Sequence, residues 1–381
     1  MTNLVRCNGD LLPRPPLQCL KGFILHGEPP AYAGGFLLYG RDDASDMTSG
    51  PTVIRSGFKP ARWLTNRHAQ TIYTALPWAY RYRPPLVRRI LDLPDGDATA
   101  VDWLEPGLDL PHTAPLLIIL HGLESSSESA YARMLLEAAS QHQWRSCVLH
   151  FRDCGDYRNR LPRRYHAGET GDLRYFLERL VLEGQTGPIV AAGYSLGGNV
   201  LLKYLGETGA QSRLSAAAAV CVPLDLNKSA DALKRGFSKI YQRHLIKRMK
   251  AAVARKFDPH TAAFNWERAM AARTFAEFDD AVTAPLHGFN GKTDYYDRSS
   301  SVHFLKDIAL PTLIVNALDD PFMTPGVIPH RDRLSDQITL EISEHGGHVG
   351  FIEGGTPLAP RYYLPKRVME FLEPYTARPG L

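Results

Sequence analysis

The sequence predicts an α/β fold: a mostly parallel central sheet covered by helices on both faces, with a long helical insertion before its last strands. Three observations predict it. Apolar, β-branched runs bounded by turn residues recur at 115–120, 146–151, 188–194, 216–222, 311–317 and 337–342. Helix-period patterns separate several of them, and this βαβα rhythm is that of a parallel sheet with helices on its two sides. The rhythm stops between Leu224 and Leu310, a stretch too long for a structureless loop and dominated by helical patterns.

Each element follows from its residues. The segment Glu128–Gln143 places Ala130, Met134, Leu135 and Ala138 on one face, and Gly171–Gly184 does the same with Leu173, Phe176, Leu177 and Leu180. Leu196–Gly206 carries Val200, Leu201 and Leu205. Arg361–Tyr375 reads as a helix closing the sheet. Residues 1–50 are rich in Gly and Pro without sustained periodicity and are expected to be poorly ordered. They precede a domain expected over 51–381, with a helical lid at about 225–310. Met47 stands just before the first domain-like residues, so translation is expected to start there; peptides from residues 1–46 in the native protein would refute that.

Composition narrows the class. The 381 residues are 44% hydrophobic and 22% charged, enough for a packed core. A net charge of +4 does not call for nucleic acid. No apolar run is long enough to cross a membrane. The start, with Arg6, Asp10 and then prolines, does not read as a signal peptide. Cys7, Cys19, Cys147, Cys154 and Cys221 are scattered and form no CxxC pair, which suits reduced thiols in a cytoplasmic protein rather than a disulfide framework or zinc site.

The chemistry gathers at four places. Val190–Gly193 is an apolar strand running into Gly193-Tyr194-Ser195-Leu196-Gly197, after which a helical pattern begins. A serine on such a sharp turn needs small neighbours two residues away, and its hydroxyl then stands above the sheet edge. Ser195 is therefore the candidate nucleophile, and the Leu196 amide one oxyanion donor. The strand Leu117–Leu120 ends in His121-Gly122-Leu123, which makes the Leu123 amide the second donor. His121 is read as structural rather than as a base. The acid should follow a late strand: Asp319 and Asp320 both do, and Asp320, directly before Pro321, is preferred, with Asp319 the alternative. The base should sit in the loop after the last strand, where Gly346 and Gly347 directly precede His348; His345 is the weaker candidate. Imidazole titrates near neutrality and can take the serine proton, while a carboxylate fixes its tautomer.

These residues resemble the YheT-like α/β-hydrolases, a family that includes bacterial predicted hydrolases and animal abhydrolase-domain esterases and lipases. The resemblance runs from about Gly57 to Leu372 and extends beyond the triad. Pro60…Trp63…Asn66-Arg67-His68-Ala69-Gln70-Thr71 is similar to an N-terminal signature of that family. Phe151–Gly155, Asn159–Thr170 and Asp294–Ser300 are similar to further family blocks. Asp153 and Asp156 stand where the family more often has small residues. The resemblance implies an α/β-hydrolase fold and a carboxylic ester hydrolase, with short- to medium-chain acyl esters or glycerolipids as substrates. Acyl transfer or thioester cleavage on the same triad, or a non-catalytic binding protein, are the alternatives. No metal or organic cofactor is called for, and a monomer or small homo-oligomer is expected.

Two features keep double readings. The block around His166 and Glu169 either locks its loop or touches substrate. The run Lys234, Arg235, Lys239, Arg243, Lys247, Arg248, Lys250, Arg255 and Lys256, interleaved with Leu233, Phe237, Ile240, Tyr241, Ile246, Met249 and Val253, reads as a basic amphipathic helix. It is either a solvated lid helix or a peripheral contact with an anionic membrane.

Overall fold

The computed structural model describes residues 5–7, 10–12, 50–76 and 78–377. The chain divides into two units, residues 1–38 and 39–381. In the first, β1 (Val5–Cys7) pairs antiparallel with β2 (Asp10–Leu12). The rest of the expected N-terminal extension, and the proposed start at Met47, lie outside the described residues.

The second unit is built on a nine-stranded sheet. Its strands are β3 (Thr52–Arg55), β4 (Leu86–Asp92), β5 (Ala98–Leu104), β6 (Leu116–Leu120), β7 (Arg145–Leu149), β8 (Ile189–Tyr194), β9 (Ala216–Val220), β10 (Thr312–Ala317) and β11 (Ile338–Ser343). They lie in the order β3-β11-β10-β9-β8-β6-β7-β5-β4. From β3 to β7 every pairing is parallel, and β5 runs antiparallel to both its neighbours. Strands β6 to β10 are buried throughout, which is why they read as mostly apolar runs, with Arg145, Ser146, Thr312 and Asn316 the buried polar exceptions. Strand β9, Ala-Ala-Ala-Ala-Val, keeps its side chains short beneath helix Leu196–Thr208. The helix sits so close that a Cβ on Gly198 would lie 2.7 Å from Val222 Cγ2.

Differences from the sequence reading have local causes. Strand β5 includes a buried Asp102. It is held by Arg88 Nε and Nη2 at 2.7 and 2.8 Å, Ser127 Oγ at 2.6 Å and His150 Nε2 at 2.7 Å. Burial alone would raise its pKa, but the bonds from Arg88 and His150 hold the carboxyl well below the usual carboxylate range. The closing helix starts at Tyr363 rather than Arg361. Ala359–Tyr362 is β13, paired antiparallel with β12 (Ile352–Thr356), and the chain continues past the helix as a 3₁₀ turn, Glu373–Tyr375.

Between β9 and β10 the chain is helical, from Leu226–Ala232 through Ser238–Lys256 to Lys292–Ser299. This insert has its own apolar cluster around Ile246, Met249, Val253, Phe257, Phe264 and Phe278. Leu123 and Phe275 pack against both this cluster and the main core. The basic run is not one helix. Gly236, at φ 49°, breaks it, so Lys234 and Arg235 lie in a turn and the long helix begins at Ser238. No described helix is long and apolar enough to cross a membrane.

Candidate active site

Strand β8 delivers Ser195 to a turn with φ 52° and ψ −118°, a left-handed conformation that side chains rarely adopt. The turn closes only because its flanks lack Cβ atoms. One on Gly193 would lie 2.5 Å from the Gly197 carbonyl oxygen, and one on Gly197 would run into that of Leu120. Helix Leu196–Thr208 starts at once, so the Leu196 amide is one of its unpaired first-turn donors.

His348 Nε2 lies 2.9 Å from Ser195 Oγ, and His348 Nδ1 lies 2.8 Å from Asp320 Oδ2. Asp320 is 1% exposed, and its other oxygen accepts from the Phe322 amide at 2.7 Å. The Phe322 ring stacks on the imidazole, 4.0 Å between centroids and 3° between planes. The two adjacent carboxylates thus have different partners. Asp319 accepts from the Gly347 amide at 2.9 Å and pairs with His345 at 3.5 Å, which raises the pKa of that exposed histidine.

The loop after β6 runs beside the elbow, and Leu123 lines the same cavity as Ser195. A Cβ on Gly122 would lie 3.6 Å from Ser195 Cβ. The flanking amides are taken, Gly122 N–H by the Tyr131 hydroxyl and Glu124 N–H by the Tyr165 hydroxyl, each at 2.8 Å. The Leu123 and Leu196 amides have no protein acceptor among the described residues. His121 is fully buried. Its Nε2 accepts from the Phe151 amide at 3.1 Å, so its Nδ1–H donates to the Gly122 carbonyl at 2.8 Å. In a trans peptide that carbonyl and the Leu123 N–H point opposite ways, so His121 helps fix the direction of the Leu123 N–H. Burial, with the nearby His150, lowers its pKa to about 3, which keeps it neutral.

The role of the 60–71 segment was not legible in the sequence. Asn66 caps helix Arg67–Thr74, accepting from the His68 and Ala69 amides. Gln70 bonds both the N–H and the C=O of Ile352. Thr71 Oγ1 accepts from the His348 amide at 2.8 Å. His68 meets Tyr241 of the insert at 3.1 Å, and Tyr241 packs on Phe322. The segment therefore buttresses the loop that carries the candidate base. Asn199, on the first turns after Ser195, ties in the other blocks: its Nδ2 donates to Ala167 O at 2.9 Å and to Ser299 O at 2.7 Å. Asp153 and Asp156 both adopt left-handed conformations, φ 65° and 60°, which explains why small residues suit those positions.

Over Ser195 lies a mostly apolar cavity of about 130 Å³. Leu233, Leu245, Met249, Phe275, Phe322 and Met323 are among its walls. His166 also lines it, 4.5 Å from His287 ring to ring, and sits 3.7 Å from Glu169, which accepts from Arg163 at 2.5 Å. Glu169 thus ties the loop down, and His166 faces the cavity. Asp279, fully buried at the wall, accepts from Tyr296 and Thr283 hydroxyls at 2.7 Å each, and burial raises its pKa to about 6. Cys221, Asp320 and His348 have ligand atoms within 4.8 Å of one another, which is metal-like spacing. Yet the imidazole already bonds Asp320, Cys221 Sγ accepts from the Val349 amide at 3.2 Å, and burial pushes its thiol pKa far up. That donor set suits packing behind the imidazole better than a cation.

Comparison with known proteins decides the family. The pattern of the alpha/beta hydrolase fold matches residues 115–355. The chain is 41% identical over 338 residues to YheT of Escherichia coli, covering 87% of this chain and 96% of that protein. It belongs to the YheT-like α/β-hydrolases. This YheT-like chain is also 29% identical over 343 residues to embryogenesis-associated protein EMB8 of Picea glauca, covering 86% of this chain and 74% of that one. It is 25% identical over 318 residues to human phospholipase ABHD3, covering 81% and 77%. Among solved structures, the Pyrococcus furiosus esterase Pf2001 shares the fold, with a TM-score of 0.50, 14% identity, and coverage of 86% of this chain and 100% of that one. By family the chain is an esterase- or lipase-type α/β-hydrolase.

Proposed function

We propose that this YheT-like hydrolase cleaves carboxylic esters through an acyl-enzyme on Ser195, with His348 as base and Asp320 as its orienting acid. The observation that carries this reading is the hydrogen-bonded line Ser195 Oγ–His348 Nε2 and His348 Nδ1–Asp320 Oδ2, at 2.9 and 2.8 Å. His348 takes the serine proton as Oγ attacks the ester carbonyl. The Leu123 and Leu196 amides hold the oxyanion, each donor contributing about 3–4 kcal/mol. His348 then protonates the leaving alcohol, and a water, deprotonated by the same nitrogen, releases the acid.

The cavity supports a short acyl group. At about 130 Å³ it approaches the volume that holds one benzene, roughly 150 Å³. The helical insert forms much of its wall and acts as the lid, so longer acyl esters require the lid to shift. Two relatives are named a phospholipase and a monoacylglycerol lipase, which makes glycerolipids the next class to try. Ser195→Ala should abolish hydrolysis of p-nitrophenyl butyrate while the protein stays folded. Retained turnover would overturn the assignment, and product appearing on added alcohols or from thioesters would favour transfer or thioester cleavage instead.

A second reading concerns the lid surface. Helix Ser238–Lys256 carries seven cationic residues and no acid. Lys239, Arg243, Lys247 and Arg255 have no acidic partner among the described residues, and Ile240 beside them is 53% exposed. Ile246, Met249 and Val253 of the helix are buried in the insert's own cluster, so a peripheral contact with an anionic lipid surface would rest on these charges and Ile240, against the alternative of a solvated lid face. Sedimentation with phosphatidylglycerol vesicles should carry the protein down. Unchanged binding after Lys239, Arg243 and Lys247 are replaced by Glu would end the idea. Cys147, Cys154 and Cys221 are buried free thiols, which fits a reducing cytoplasm.

A further inference from the structure

The geometry points to a clamp on Glu124, made by Tyr165, Arg164 and Arg248, that positions the Leu123 amide for the oxyanion; this rests on Ser195 being the nucleophile. Glu124 stands next to the donor residue at φ 50°, a conformation side chains avoid unless the surroundings enforce it. Its N–H, its carbonyl oxygen and its Oε1 are all engaged. Its N–H donates to the Tyr165 hydroxyl at 2.8 Å, and that hydroxyl donates back to Oε1 at 2.9 Å, closing a small ring. Arg164 Nη2 bonds the same Oε1 at 2.6 Å, while its Nε is fixed by Asp153 at 2.8 Å. Arg248, on the lid helix, donates to the Glu124 carbonyl.

The three partners come from two places. Arg164 and Tyr165 are buried in the loop after β7, and Arg248 belongs to the lid. Leu123 itself packs against the main core and the lid cluster at once. On its other side the loop is held by His121 and Tyr131. The peptide carrying the donor is thus pinned on both flanks, and one flank depends on how the lid is seated. No oxyanion donor can afford a wrong direction, because its worth depends on pointing at charge that develops only in the transition state. Tyr165, Arg164 and Arg248 are therefore positioning residues, and none of them needs to touch the reacting atoms.

The test uses Tyr165→Phe, Arg248→Met and Arg248→Lys in the full chain. Each is measured for kcat and KM on p-nitrophenyl butyrate, for affinity toward an alkyl boronic acid that forms a tetrahedral serine adduct, and for Tm. We expect kcat to fall about tenfold or more in Tyr165→Phe and about fivefold in Arg248→Met, with KM within about twofold and boronate affinity falling in step. Arg248→Lys should recover part of the loss. Should Tyr165→Phe fail to fold, Arg248→Met, at an exposed position, decides alone. Unchanged kcat, or a fall in kcat with boronate affinity intact, overturns the inference. Failure of a fluorophosphonate to label Ser195 in the wild-type protein would instead overturn the nucleophile assignment.

Discussion

Replacing each of the two neighbouring carboxylates in turn separates orienting the base from supporting its loop. In Asp320→Asn the new amide presents an NH₂ to His348 Nδ1 across the 2.8 Å gap. The ring must then carry its proton on Nε2, the nitrogen 2.9 Å from Ser195 Oγ, and can no longer accept the serine proton. Losing the orienting carboxylate in this way costs about 10⁴ in kcat, about 5.5 kcal/mol of transition-state stabilisation. Asp319→Asn keeps an oxygen for the Gly347 amide and weakens only the exposed His345 pair, so less than about a tenfold loss is expected. Steady-state hydrolysis of p-nitrophenyl butyrate, with circular dichroism to check folding, reads both. A larger loss in Asp319→Asn than in Asp320→Asn would refute the assignment.

Other perturbations address the elbow, the buried acid and the cavity. Gly197→Ala pushes a methyl into the Leu120 carbonyl and should destabilise the fold by about 1–3 kcal/mol, read as a lower Tm; an unchanged Tm would show that the turn has room. Asp279, raised to about 6 from an ordinary 3.8, binds its proton more tightly folded than unfolded, so its stabilising contribution is full below the unfolded value and lost as pH rises through 6. Asp279→Asn should therefore raise the stability at pH 8 by up to roughly 3 kcal/mol, read as a higher Tm, and change little near pH 4; an equal effect at both would contradict it. Met249→Ala enlarges the cavity wall, and the ratio of kcat/KM for octanoate over butyrate esters should rise about tenfold. A ratio that does not move would place the acyl chain elsewhere.

Much of this was legible in the residues, and the rest was hidden for physical reasons. Strands β6 to β11 stood out because parallel strands covered on both faces are mostly apolar. Strand β5 did not, because its buried Asp102 reads as a break until Arg88, Ser127 and His150 are seen to satisfy it. Strand β3, four residues at the sheet edge, is too short to carry a pattern. At the candidate site, turn chemistry, which is local, and the order along the chain singled out Ser195, His348, Asp320 and the loop at Leu123, and the structure brings Ser195, His348 and Asp320 into one hydrogen-bonded line. The supports were not singled out: Thr71 lies 277 positions from His348, and Tyr165 lies 41 from Glu124. Side-chain-to-backbone bonds over such separations leave no periodicity to read. The basic run was visible, but Gly236 ending its first part by a left-handed turn was not.

The central claim is that Ser195 is the group that becomes acylated, and trapping it is the most direct measurement. Treat the purified chain with a fluorophosphonate and locate the adduct by peptide mass spectrometry. The account predicts one modified residue, Ser195, with labelling at least about a hundredfold slower in His348→Ala. An adduct on any other residue, or equal labelling without His348, would contradict it.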